Sequence, residues 1–299
     1  MRSALGYANI AGTLCGLVCM TSAAIAQPPA VPVFHPAGPM PSYEVATIKP
    51  VDPDQRFGGT TIRHYIADAF GVPIPWGVPS VEYPGAQVLG GPAWIDKDRY
   101  EIKGKIPDDL RQERQKMSKS DRDAQTEMME QSLLADRFHL KVHFETREMS
   151  IFELVPAKSG LKIKPAAPAA EESGTSKAPH DSMSPGSMGM SVMLNGTTIL
   201  QGRAVPLKLF MNALRGESPD VAGRPIVDMT GFQGNFDLKD FRFAGLPLPG
   251  ANGGGVTAGD QDVPLLSQAL EQQLGLRLIP AKGQVEVVVI DSIDRPTDN

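Results

Sequence analysis

Apolar residues follow two rhythms along this chain, one helical and one extended. Ile62, Tyr65, Ile66, Ala69 and Phe70 recur at three- and four-residue steps, with Thr60 or Thr61 before them and Gly71 after, which predicts a capped helix. Leu207, Phe210, Met211 and Leu214 repeat that stripe between Pro206 and Gly216. A charged helix is predicted from about Ser120 to Asp136 on Ala124, Met128, Met129 and Leu133. A last one opens near Asp262 and Pro264 and carries Leu266, Ala269, Leu270 and Leu274. Alternation follows each helix: Tyr100 and Ile102, then Phe138, Leu140, Val142 and Phe144, then Phe236 and Leu238, and finally the nearly all-apolar Val285–Ile290. Ile151–Val155 adds a further strand signal.

The succession helix, strands, helix, strands occurs twice. A shift of 136 residues lays Leu134–Val155 on Leu270–Asp291 without a gap and Tyr100–Lys103 on Phe236–Lys239, while the preceding helices align at a shift of 145. The predicted fold is therefore α+β, with two related helix-strand-strand repeats forming mixed or antiparallel sheets and helices packed on one face.

Composition shows where these halves end. The chain of 299 residues holds 30 Gly and 27 Pro, about 19% against an average near 12%. Much of the excess is concentrated. Residues 27–41 carry six Pro and read as an extended tether, 165–191 as a disordered linker, and 245–259 as a Gly-rich loop. The expected organisation is a first α+β half over 42–164 and a second over 192–299.

The beginning of the chain predicts export. Arg2 precedes the apolar stretch Ile10–Met20, and Ala24-Ile25-Ala26 fits a signal-peptidase site before Gln27, so 1–26 reads as a signal peptide. Both cysteines, Cys15 and Cys19, lie inside it. A mature chain would then have no thiol for disulfides, metal ligation or nucleophilic attack. No later apolar run approaches the ~20 residues of a membrane span. The formal net charge of -5 argues against nucleic acid as a partner.

Several blocks carry a resemblance. Tyr43–Pro50, Gly90–Asp96 leading into Arg99–Ile102, Leu133–Phe138 with Glu145–Met149, Val227–Phe232, Gln273–Leu276 and Val289–Asp291 with Arg295-Pro296 appear in order over nearly the whole mature chain. Together they resemble a family of uncharacterised, soil-associated exported proteins abundant in acidobacteria. The first helix departs from that family's usual leucine-rich pattern but keeps its apolar face. The resemblance implies no activity and transfers no functional residue. Related domains attached to membrane-bound sensor metallopeptidases imply sensing or binding, and the helix with paired strands is similar, in topology alone, to the short N-terminal domain of secretins and TonB-dependent receptors.

Catalytic signatures are sparse. No Gly-x-Ser-x-Gly elbow or His-Glu-x-x-His occurs, and Ser159-Gly160-Leu161-Lys162 follows a strand where an acylating Ser would open a helix. The candidate metal ligands are His139, His143 and Glu145, which share one face if the segment is a regular strand. Positions four apart on a strand stand ~13 Å from each other, which needs a bulge to serve one ion. Trp94, in a loop after Gly90-Gly91-Pro92, and Asp228, at a strand end, are the candidate binding surface. The reading is an exported, periplasmic or extracellular binding or sensing module, with no catalytic residue or cofactor assigned and a protein or small ligand of the envelope as partner. A metal-dependent hydrolase using His139, His143 and Glu145, or a structural envelope module, are the alternatives.

Overall fold

The computed structural model describes residues 31–36, 40–52, 54–55, 58–74, 86–166, 183–193, 196–218, 221, 223–245 and 263–296. The expected signal peptide, most of the expected linker and nearly all of the Gly-rich loop lie outside the described residues.

The elements alternate as the periodicity predicts, with several additions. In chain order they are β1 (Val45–Pro50), β2 (Thr60–Thr61), α1 (Ile62–Ala69), β3 (Val88–Gly90), a 3-10 turn (Ala93–Asp96), β4 (Arg99–Lys105), α2 (Asp108–Arg114), α3 (Lys119–Phe138) and β5 (Lys141–Pro156). Then follow β6 (Ser187–Val192), β7 (Thr197–Pro206), α4 (Leu207–Glu217), β8 (Ile226–Asp228), β9 (Asn235–Ala244), α5 (Leu266–Ala269) with a π turn (Leu270–Leu274), and β10 (Leu276–Ser292). The class is α+β, with one mixed and two antiparallel sheets. Residues 187–191, expected in the linker, form most of β6. Their Ser-Met-Gly-Met-Ser run has no β-branched signal, and pairing to β7 alone makes it a strand. Residues 31–36, expected in the tether, lie against the fold: Val31 bridges Val285, Val33 is buried, and the Phe34 N–H donates to the Phe70 carbonyl.

The central sheet has the order β3-β10-β5-β8. β5 and β10 form a long antiparallel ribbon in which Glu148 faces Gln284, the residue that the 136-residue shift assigns to it. The short strands pair crosswise and in parallel: Val88–Gly90 with Val288–Ile290 of β10, and Ile226–Asp228 with Phe152–Leu154 of β5. Small antiparallel sheets flank this ribbon, β1-β4-β2 and β6-β7-β9.

Two apolar clusters result, and each takes strands from both halves of the chain. The first packs α1 and α3 (Ile62, Ile66, Leu134, Phe138) against the end of β10 (Val288, Ile290). The second packs α4, β7 and β9 (Phe210, Leu200, Phe236, Phe241) against the end of β5 (Phe152, Leu154). Phe210 meets Phe236 and Phe241 edge-on, at ring separations of 5.6 and 5.5 Å. Each long strand thus starts beside one cluster and ends inside the other.

Candidate functional site

A concave region that collects polar groups from both halves lies between α1, α3 and the start of α4. Gln131 of α3 donates to the Ala69 carbonyl at 2.8 Å, which fixes α3 against the end of α1. Pro206 ends β7 and opens α4 with its fixed φ, so Lys208 and Asn212 come out one turn apart on the side facing α3. Two adjoining hollows of about 260 and 460 Å³ share Glu127, Lys208 and Asn212 as walls. The smaller also includes Phe34, Asp68 and Gly71, and the larger Ser118, Asp123 and Asn235.

The carboxyl groups here do not titrate like surface acids. Burial pushes Glu127 up to about 7, with the Lys208 ammonium opposing and the Asp123 and Asp68 carboxylates adding. Burial also takes Glu130, one turn along α3, to about 7, reinforced by Asp68 and Glu127. Asp68 is raised by the same desolvation, with His64 opposing. Glu130 faces a small hollow of about 60 Å³ with Tyr43 and Tyr65. Burial holds the Tyr43 phenol up at about 12, so it stays a proton donor beside Glu130. Near neutral pH this group holds fewer negative charges than it has carboxyls. A cationic group entering the cleft would bring the carboxylate form back and gain charge-assisted hydrogen bonds.

The residues singled out from the sequence lie elsewhere. His139 is not on a strand: it caps α3 in the left-handed conformation, φ 48°, and β5 begins two residues later. The alternation of apolar residues runs unbroken from Phe138 to Phe144, which hides the turn. The His139 ring meets Asp294 at 3.1 Å, whereas the His143 ring bridges Asp291 at 2.7 Å and Glu145 at 3.1 Å. The two histidines have no partner in common among these bonds. Glu145 is held in turn by Arg147 at 2.8 Å. Hydrogen bonds to Glu145 and Asp291 raise the pKa of exposed His143, and those from His143 and Arg147 lower that of Glu145. Among the described residues no group of three or more His, Cys, Asp and Glu is arranged to hold a metal ion.

Trp94 is half-buried in the 3-10 turn, edge-on to Tyr100 and beneath the Arg295 guanidinium at 5.1 Å. Its turn is held by buried Arg63, which donates to the Val88 and Gly90 carbonyls at 3.0 and 2.9 Å and to both oxygens of Asp96. Asp228 is exposed and accepts from the Thr230 N–H and hydroxyl, at 2.8 and 2.7 Å, closing an Asx turn. The structure does not bring Trp94 and Asp228 together. Trp94 follows β3 and Asp228 ends β8, the two outer strands of the central sheet, and Gly90 and Asp228 lie level with Ile290 and Leu278 of β10. Twelve strand residues separate those levels, about 40 Å.

Sequence reading missed Asp68, Glu127, Glu130, Lys208 and Asn212. Glu127 and Glu130 border the apolar stripe of α3, one turn apart, which is the only local signal. Their meeting with residues of α1 and α4 is a tertiary event. No curated protein and no solved structure matches this chain. The family model described as a protein of unknown function, DUF3738, matches residues 65–293, a span that takes in most of α1, both long strands and all of the cleft carboxyls, so the chain belongs to the DUF3738 family.

Proposed function

We propose that this is an exported, non-catalytic binding protein that takes a small polar ligand bearing a cationic group in the cleft between α1, α3 and α4. One observation carries this reading: the cleft is walled by Asp68 and Glu127 from the first half and by Lys208 and Asn212 from the second. A site of this kind, concave and with convergent polar groups between two structural units, is where small ligands bind. The 136-residue correspondence supports a further part of the reading, in which the halves are related copies and the cleft is the place where they have diverged. The expected signal peptide supports a periplasmic or extracellular setting, in which the mature chain starts at Gln27.

A thermal-shift screen of small amines, amino acids and amino sugars against the purified protein tests the cleft. Compounds that raise the melting temperature of the wild type should lose that effect in Glu127→Gln and in Asn212→Ala. A ligand whose stabilisation survives both substitutions binds elsewhere and refutes this site. N-terminal sequencing of protein from the envelope and medium tests export, and recovery of the intact N-terminus in the cytoplasm would overturn it.

A further inference from the structure

β9 is an edge strand that is covered at its two ends and open between them. In the first half, β1 lies antiparallel along β4 for six residue pairs, from Val45 against Lys105 to Pro50 against Tyr100. The second half repeats the last of these pairs: Pro165, which ends Ile163-Lys164-Pro165 as Pro50 ends Ile48-Lys49-Pro50, bridges Phe236. Upstream of Pro165 the chain turns away from β9. The Lys162 N–H donates to the Leu274 carbonyl and the Ala157 N–H to the Gly275 carbonyl, so this segment follows the helix end and not the strand. At the far end of β9 a side chain takes the place of a strand, because Gln273 accepts from the Arg242 N–H at 3.2 Å and donates to the Arg242 carbonyl at 2.8 Å. Between these two clamps Asp237–Phe241 have no strand on their outer side among the described residues. A groove of about 510 Å³ runs there, between Ile163–Pro165 and the strand, with Leu238, Phe241 and Leu274 at its base.

The groove's charges select an occupant. Asp240 is paired with Arg242 at 2.6 Å, and Asp237 accepts from the Ala204 N–H at 2.8 Å. Lys164 and Lys239, both exposed, have no ion-pair partner among the described residues, and Lys162 is held only by the Gln272 carbonyl. The acids are thus occupied while two ammonium groups on facing walls are open. A β-bulge where β9 meets β7, between Leu238 and Phe241, leaves consecutive residues Lys239 and Asp240 both exposed, and both line the groove.

We propose that an extended, acidic peptide segment of a partner protein docks in this groove, adding to the edge of β9 as the strand that β1 supplies in the first half, with its carboxylates against Lys164 and Lys239. Main-chain pairing along Asp237–Asp240 holds the segment, and the lysines choose its charge. This edge is separate from the cleft, so either site stands or falls without the other.

Fluorescence anisotropy with a labelled alternating Glu-Val hexapeptide tests this, against a Glu-Pro peptide of the same charge and a Lys-Val peptide. The Glu-Val peptide should bind saturably, and the Lys-Val peptide should not. Both the Glu-Pro substitution, which removes backbone donors, and Lys164→Glu with Lys239→Glu should weaken binding at least about tenfold. Amide exchange across 235–244 should slow when the Glu-Val peptide is added to the wild-type protein, a readout independent of the variants. Absence of saturable binding up to about 1 mM overturns the proposal. Equal affinity for the Glu-Pro peptide, unchanged amide exchange, or retained affinity in the correctly folded double variant does so as well.

Discussion

Replacing Glu127 and Glu130 together with Gln should turn a pH-dependent protein into a nearly pH-independent one over the neutral range. In the folded chain both carboxyls titrate near 7 where an ordinary Glu titrates at 4.5, with burial the first cause in each case. A carboxyl with a raised folded pKa binds its proton more tightly in the folded state, so it favours folding at low pH. That advantage fades as pH rises from about 4.5 through about 7. One pH unit is worth about 1.4 kcal/mol, which would give a fully desolvated carboxyl about 3 kcal/mol. Both side chains keep partial contact with water, and Lys208 offsets part of the charge on Glu127, so about 1–2 kcal/mol each is the expected size. Urea unfolding followed by circular dichroism at pH 5, 6, 7 and 8 measures it. The wild type should lose about 2–4 kcal/mol across that range, and the double Gln variant most of this slope. His143 tilts stability in the same direction, because its raised pKa favours folding below 6.5, and His143→Gln separates its share. A double Gln variant with the same slope as the wild type would show that these carboxyls are solvated and that the cleft is an ordinary wet surface.

Other substitutions test the supports of the fold. Asp96→Ala leaves the Arg63 guanidinium buried without its carboxylate and should cost about 3–5 kcal/mol in the same unfolding assay, more than loss of any exposed ion pair. His139 and Gly275 occupy matching left-handed positions after α3 and after the π turn, with φ of 48° and 65°. His139→Gly should therefore stabilise the protein by about 0.5–1 kcal/mol and leave its metal content unchanged. Gly275→Ala should destabilise it by more than about 2 kcal/mol, because a Cβ there would run into the Gly160 carbonyl and the Lys162 nitrogen. Fragments 31–166 and 183–299, which keep Val33 and β6 with their halves, should each lack a cooperative melt when expressed separately and regain one when mixed. Independent melting of either fragment would contradict the shared clusters.

Helices α1 and α4 were legible to within three residues because a single stripe with a cap and a Gly stop leaves little choice. The long strands were harder. β5 and β10 were seen as short apolar pieces, since their middle stretches, Glu145–Ser150 and Ile279–Gln284, face solvent and carry no apolar rhythm. Backbone pairing between the two strands holds these stretches extended, and that is invisible in either alone. β3 and β8, three residues each, are defined by what they pair with and not by what they contain. The candidate site was unreadable for the same reason. Asp68 and Glu127 are individually ordinary surface residues in the string, and their altered titration arises from desolvation in the folded chain. The histidines attracted attention because single residue types stand out in a string, whereas a cleft does not.

The crosswise pairing of β3 with β10 and of β8 with β5 limits how such a protein can originate. Half of the chain, made alone, would end in a long strand with no core to enter and would hold a helix pair with no strand to cover it. Two such halves meeting antiparallel, about a two-fold axis through the pairing of Glu148 with Gln284, would each complete the other. A strand-exchanged dimer whose subunits were joined end to end would have this same anatomy, with each half's outer strand paired to the other half's long strand. In a single chain the two sides of the cleft need not match, and here the carboxyls of Asp68 and Glu127 come from the first half while the Lys208 ammonium comes from the second.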